Sequence, residues 1–362
     1  MLTSLIIAVA AAATPEPGTG TLVVEAPPGL DTHVATCARC HGRVARQWSG
    51  SAHAAAFSNE RFQAAWAPRP QGWCVQCHAP LEDQHNVLND GIVVRPGALL
   101  EVPSDPTAGA PGDGVSCAVC HLREGKVRTP GPPSLWARLA HPAEEDPALT
   151  DNTRCAGCHQ FNFPRHTPPW PFALSDSPLQ NTVVEWEHSA AARDGTTCVD
   201  CHFPRGRHSL PGGLQPGFLA KHTAVELTGD CGTVAVTLTV TGAAHAVPTG
   251  DPFRALEVRL CGDEDCEEVV GRARFGRTFE TTDDAWILAE DTRVPPATEG
   301  PASHRTLTVP VDGPVRAWTL WMQLADPRHG RPDHAYPLPP DQLGRTVARG
   351  RVSRSEVPCS LR

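Results

Sequence analysis

Hydrophobic positions are distributed very differently in the two halves of this 362-residue chain. From about Thr223 onward, apolar and polar residues alternate with period two. Examples are Val234-Ala235-Val236-Thr237-Leu238-Thr239-Val240, then 255–260, 306–311 and 315–324, each bounded by turn residues. Strict alternation puts one face of each segment into a core and the other into water, which predicts half-buried β-strands, about seven of them. From about 31 to 222 the chain is Pro-rich and has no long apolar periodicity of either kind. Such a segment cannot assemble an ordinary side-chain core and needs another apolar filling. A third pattern opens the chain: 2–13 is an apolar run ending in small residues, followed by Pro15 and Pro17. It reads as an export signal over 1–13 with cleavage near Ala13, then a Pro-rich linker over 14–30. The run is too short to span a bilayer.

The missing filling is named by the cysteines. Five copies of Cys-x-x-Cys-His punctuate the first half at intervals of about 40 residues. They are Cys37/Cys40/His41, Cys74/Cys77/His78, Cys117/Cys120/His121, Cys155/Cys158/His159 and Cys198/Cys201/His202. Two thiols one helical turn apart suit thioether bonds to the two vinyl groups of a porphyrin, and the next residue offers an imidazole to its iron. The motifs therefore predict five covalently bound haem c groups, with the porphyrins forming the core of residues 31–222. Zinc knuckles also use paired Cys-x-x-Cys. They leave the histidine after every pair unexplained.

Of 14 cysteines, the four outside the motifs are Cys231, Cys261, Cys266 and Cys359, all after the last motif. An even remainder in an exported chain suggests two disulfides, and three connectivities exist; Cys261–Cys266 with Cys231–Cys359 is the favoured one. The net charge is −9 before any haem propionates are counted, and lysine occurs only at Lys126 and Lys221. That balance argues against a nucleic acid partner. The acidic loop 263–268 suits a solvated hairpin tip better than a calcium site.

Axial ligation bears on function. The only methionines are Met1 and Met322, the latter inside a predicted strand. Histidine must therefore supply the second ligands, and bis-His haems lack the thioether that raises potential. The stretches Trp48-Ser49-Gly50-Ser51-Ala52-His53, Cys155 to Phe161, Glu185-Trp186-Glu187-His188-Ser189, Cys201-His202-Phe203-Pro204, His208 to Gly213, and Ala244-His245-Ala246-Val247-Pro248-Thr249-Gly250 with Arg254 are similar to the cytochrome c-554-like multihaem family (cytochrome c-552/4 type). The resemblance covers about two hundred residues. It implies electron transfer among closely packed haems, with His53, His208 and His245 as distal ligands. One departure stands out: when Trp186 is placed on Trp48, Ser189 falls on Ser51 but Ala191 falls on His53. For the remaining irons His141 is the first choice, followed by His166 and His85, then His33 and His222.

The expected architecture is a mostly irregular and α-helical pentahaem domain over 31–222, with haems as its core, followed by an all-β, immunoglobulin-like sandwich over 223–362. The expected function is electron transfer through about five low-potential, mainly bis-His haems, in the periplasm or outside the cell. The partners would be other cytochromes or a membrane quinol-oxidising complex, with the chain peripheral to a membrane at most and self-association left open. Two alternatives share the motifs: an oxidoreductase with one open haem acting on nitrite or hydroxylamine, and a protomer of an extracellular filament. Against the enzyme, the chain has no Cys-x-x-Cys-Lys motif of the pentahaem nitrite reductases. Its one tyrosine, Tyr336, lies outside the motif half, whereas hydroxylamine oxidoreductases link a tyrosine to the catalytic haem.

Overall fold

The structure is a computed structural model that describes residues 22, 24–68, 72–85, 110–165, 174–215, 217–230, 232–331, 333–334, 336–353 and 356–357. The signal and most of the linker, His166, Trp170, Cys231 and Cys359 lie outside the described residues.

The motif half consists of short helices and short strands. In chain order these are α1 (Val34–Ser49), α2 (Glu60–Trp66), α3 (Gly72–His78), α4 (Cys117–His121), β1 (Leu122–Arg123), β2 (Lys126–Thr129), α5 (Leu135–Ala140), β3 (Ala143–Glu145), α6 (Thr153–His159), β4 (Gln160–Pro164), β5 (Leu174–Asn181), α7 (Thr182–Glu187), α8 (Ala190–Arg193), α9 (Cys198–His202) and α10 (Phe218–His222). Local chemistry starts these helices. Asn59 accepts from Phe62 N at the start of α2, and Thr197 with Asp200 forms a reciprocal capping box on α9. Asp200 is one of the two variable residues of its own motif, so the cap and the attachment site share that residue. Protein-only packing here is patchy. Phe57, Trp66, Val75 and Ala79 form one small cluster, and Leu81, Ala118 and Leu122 form another.

The β half begins directly after α10. Its strands are β6 (Thr223–Gly229), β7 (Thr233–Thr241), β8 (Ala255–Cys261), β9 (Val269–Thr281), β10 (Trp286–Asp291), β11 (Ala302–Pro310), β12 (Ala317–Gln323) and β13 (Gly344–Arg351). They form a five-stranded antiparallel sheet in the order β10-β9-β8-β12-β13 and a three-stranded one in the order β11-β7-β6. The alternation of β7 is realised as expected: Val234, Val236, Leu238 and Val240 are buried, while Thr237 faces out and pairs with Thr306 across the ladder at 2.8 Å. These valines and leucines share one core with Leu256, Val258, Leu260, Phe275 and Leu320 of the other sheet. Gly344 and Gly350 on β13 are required by close approach, since a Cβ would come within 1.9 Å of the Trp321 ring or 2.6 Å of the Trp318 ring. The architecture is a pair of antiparallel sheets on a common core. Cys261 and Cys266 are joined in a disulfide at the β8 hairpin end.

The halves are joined by polar contacts. Thr182 bonds Thr249, Ala190 N donates to Ala297 O, Arg277 donates to Pro178 O, and Arg165 pairs with Asp284.

Candidate functional site

Four of the five motifs form the C-terminal turn of a helix and end it at their histidine: α3 at His78, α4 at His121, α6 at His159 and α9 at His202. In α1 the motif histidine marks a break instead, because His41 has non-helical φ/ψ of −104°/35° and the helix resumes to Ser49. Each imidazole thereby leaves the helix barrel and turns an edge outward. Three of them are oriented by a backbone carbonyl that accepts from Nδ1: Ala56 O for His78 at 2.6 Å, Arg128 O for His121 at 2.9 Å and Pro211 O for His202 at 2.9 Å. A bond at Nδ1 fixes the tautomer and leaves Nε2 as the free donor atom, the arrangement an iron-bound histidine needs. Burial lowers the pKa of His78, His121 and His159, reaching about 3 at His159, so these rings are held in the neutral, ligating form.

Three further histidines face motif histidines. The ring centres of His53 and His159 are 6.2 Å apart, those of His121 and His208 are 6.1 Å apart, and those of His202 and His245 are 6.4 Å apart with planes only 8° from parallel. Two imidazoles on opposite sides of one metal, each with a metal–nitrogen distance of about 2 Å, have their ring centres about 6 Å apart. The donor sets therefore fit bis-His iron, with His53, His208 and His245 opposite three different motifs. The second histidine also has an oriented Nδ1 in two pairs: His208 donates to Gly206 O and His245 to Ala246 O, both at 3.0 Å. Burial lowers the pKa of His53, His208 and His245 as well. Among the described residues no cluster of three or more His, Cys, Asp or Glu side chains converges on one ion position.

The thiols show how the motifs adjoin. Cys37 lies within hydrogen-bonding reach of Cys117, Cys77 of Cys158, and Cys155 of Cys198. Asn152, which precedes α6, accepts from Cys198 N at 2.8 Å and ties the fourth motif to the fifth. The motif at 155–159 thus touches both the second and the fifth, while the first meets the third. Spatial order is not chain order.

The attachment thiols differ in how far the chain itself covers them. Cys40 is exposed, as is His41 beside it, and Cys201 of the fifth motif is exposed too. The other eight motif thiols are half-buried. The reason at Cys40 is its place one turn past Cys37 on α1. Cys37 meets the third motif through Cys117, whereas Cys40 sits where the helix breaks at His41 and turns outward. Cys-x-x-Cys-His spacing sets the distance between two thiols, and says nothing of which one the rest of the chain covers.

The internal repeat read from the sequence has a physical counterpart. Trp48 Nε1 donates to Val115 O and Trp186 Nε1 to Thr196 O, both at 2.9 Å. Ser51 and Ser189 are both buried and accept from Ala54 N and Ala192 N at 3.3 and 3.1 Å. The two elements share this scaffold and differ where it matters: His53 faces His159, and Ala191 presents a methyl group.

The other candidates are placed as follows. His141 caps α5, and its Nδ1 is shielded without a partner among the described residues. His85 packs beside α3, and its Nε2 is likewise shielded and unpaired. His33 lies 3.8 Å from Asp113, His222 bonds Thr241 O, and His188 bonds Val184 O within its own helix region. None of these is seen in a ring contact with a motif histidine. The ring of His78 stacks on Phe62 at 3.9 Å. The tryptophans divide: Trp66 is buried in the small cluster with Phe57, and Trp136 is 80% exposed.

One ion pair is invisible to sequence reasoning. Glu185 and Arg293, 7% and 5% exposed, meet at 2.6 Å in a group that also includes Asp291. The other oxygen of Glu185 accepts from Ala246 N at 3.1 Å, so the pair fixes the backbone beside His245. Burial alone would lower the pKa of Arg293, but Asp291 and Glu185 outweigh it and hold the guanidinium charged. Glu185 is legible in the sequence only as part of the Trp186 element, and Arg293 carries no signal there.

The fold and the five-motif site define a class: this chain has the architecture of a multihaem c-type cytochrome. It superposes on a penta-heme cytochrome c552 from Thermochromatium tepidum with a TM-score of 0.58, covering 87% of this chain and 97% of that one at 22% identity. It is also 22% identical over 169 residues to the cytochrome c-type protein TorY of Haemophilus influenzae. That match takes in 46% of this chain but only 34% of the relative, so the chain spans about a third of that protein's length. No protein-family model matches. Among the described residues no helix is long and apolar enough to cross a membrane.

Proposed function

We propose that the protein is an electron carrier of the periplasm or the cell exterior, holding five haem c groups at Cys37/Cys40, Cys74/Cys77, Cys117/Cys120, Cys155/Cys158 and Cys198/Cys201. His41, His78, His121, His159 and His202 serve as proximal ligands, and His53, His208 and His245 as distal ligands opposite His159, His121 and His202. His141 is the next candidate, its shielded Nδ1 lacking a protein partner among the described residues. Bound haem supplies one-electron exchange at iron, at low potential where both ligands are imidazoles. The chain's own part is to fix the imidazole tautomers through backbone carbonyls and to bring the motifs together around 155–159. Its partners are other redox proteins that deliver and accept electrons, and the exposed thiols Cys40 and Cys201 mark the first and fifth motifs as the places where such partners come nearest. The observation that carries this reading is the set of three histidine pairs at 6.1–6.4 Å.

One observation keeps the second reading, an oxidoreductase with one open iron, in place: among the described residues neither His41 nor His78 is in ring contact with another histidine, whereas His121, His159 and His202 are. The two are separated by the visible spectrum of the dithionite-reduced holoprotein with and without carbon monoxide. The carrier predicts five haems by pyridine haemochrome and no carbon monoxide shift. A shift worth one haem overturns it in favour of the enzyme, and three or fewer haems per chain overturns the reading of the motifs.

A further inference from the structure

Arg254 belongs to the same loop as His245, and the loop is shaped around its side chain. Gly250 has φ of +93°, and a Cβ there would lie 2.6 Å from Arg254 Nη1, so only glycine permits both the left-handed turn and the guanidinium beside it. Arg254 Nη1 donates to Thr249 O at 3.3 Å, while its Nε is shielded from solvent and has no partner among the described residues. Its charge bears on His78 and on His159, the histidines of two adjoining motifs. Arg61 of α2 is close enough to feel Arg254, and Arg345 of β13 bears on Arg61 in turn.

All three guanidiniums are bonded to neutral oxygens. Arg61 donates to Gln342 Oε1 at 2.5 Å, and Arg345 to Gly213 O and Gln215 O at 2.7 and 3.3 Å. The carboxylates whose charge reaches them are Asp251, which bears on Arg254 and Arg61, and Glu60, which bears on Arg61; neither bonds a guanidinium among the described residues, and Asp251 Oδ1 accepts from Phe253 N at 2.8 Å. Among the described residues none of the three arginines is in an ion pair with a carboxylate. A shielded cation without an anion is costly, and a planar guanidinium is suited to a carboxylate held by two parallel bonds.

We propose that Arg254, supported by Arg61, binds a haem propionate at the junction of the 74–78 and 155–159 motifs. This assignment rests on the five-haem reading above. The ligand is a carboxylate carried by the prosthetic group itself, and the cationic partner stabilises the reduced, less positive state of that haem. The loop that carries the distal histidine of one motif therefore also sets the potential at another.

The test is potentiometric titration and resonance Raman spectroscopy of the holoprotein, after pyridine haemochrome analysis has confirmed five haems in the parent. R254Q is expected to retain low-spin spectra, to move one haem to lower potential and to shift a propionate bending band, with R254K giving the smaller displacement of the two. R61Q, at the edge of the cluster, should move the same haem less and serves if R254Q does not fold. Titrations of R254Q, or of R61Q in its place, that superpose on the parent overturn the proposal. So does a parent potential that moves when chloride is replaced by sulfate at constant ionic strength and does not move in R254Q, because a free oxyanion is then the ligand. A parent with fewer than five haems fails the motif reading instead.

Discussion

The β half gathers its buried apolar residues into one core spanning two sheets, whereas the motif half leaves its own in clusters as small as Phe57, Trp66, Val75 and Ala79. The difference lies in how those residues are arranged along the chain. Period-two strands stack their own side chains against one another and need no other filling. Short helices separated by Pro-rich connections bring histidines and thiols together, and their mutual distances match a macrocycle rather than a leucine. A β half that is complete by itself can act as the fixed wall from which His245 and Arg254 reach into the motif half. The buried Glu185–Arg293 pair fastens that wall beside His245.

The largest effect should follow from removing one attachment at the crowded junction. Replacing Cys155 and Cys158 by Ser is expected to lower the haem count by one and to open the motif half to limited proteolysis of the full chain, with the β half left as the resistant fragment. Equal digestion of both halves would break the comparison. Next in size, Leu238→Ala removes a fully buried side chain from the β core and should cost about 2–5 kcal/mol in denaturant unfolding, with the Soret spectrum unchanged. A spectral change would mean that the β core and the haem ligands are one cooperative unit.

Acid should act on the motif half first. Burial depresses His159 from the ordinary 6.5 to about 3, with His53 and His202 adding to the shift. The unfolded chain binds protons across that window and the folded ring does not, so the contribution to stability is complete above pH 6.5 and is lost as pH falls toward 3. Stopped-flow or equilibrium spectra should show low-spin bands lost in that interval while far-ultraviolet β signals persist. The smallest effect compares the two tryptophan elements: Ser51→Ala and Ser189→Ala should each cost about 1 kcal/mol by removing a capping acceptor. Only Ser51→Ala should perturb a haem spectrum, because only that element carries a histidine two residues on.

Much of the molecule is legible in its residues. The five Cys-x-x-Cys-His motifs, the β alternation of Thr233–Thr241 and the nomination of His53, His208 and His245 rest on local pattern or on family likeness carried by short motifs, and those three histidines lie in ring contact with His159, His121 and His202. The β half is built of two antiparallel sheets on one core, and of the expected disulfides Cys261–Cys266 is formed, while Cys231 and Cys359 lie outside the described residues. His141, nominated for its place before the fourth motif, caps α5 with its Nδ1 shielded and without a partner among the described residues. The motif of Cys40 is as complete as the others, and the exposure of that thiol follows from what packs, or does not pack, on the outer side of α1.

The sequence by itself determined where the five Cys-x-x-Cys-His turns lie and which half builds its own core, because such a turn and a period-two strand are complete within a few residues. Tertiary structure alone decided that His53 faces His159, that His208 faces His121, and that the motif at 155–159 touches both the second and the fifth. It also decided that Glu185 meets Arg293 and that Arg254 bonds Thr249 O and no carboxylate among the described residues. Those contacts join residues far apart along the chain. They depend on the path of the backbone between them, which no local rule of spacing encodes.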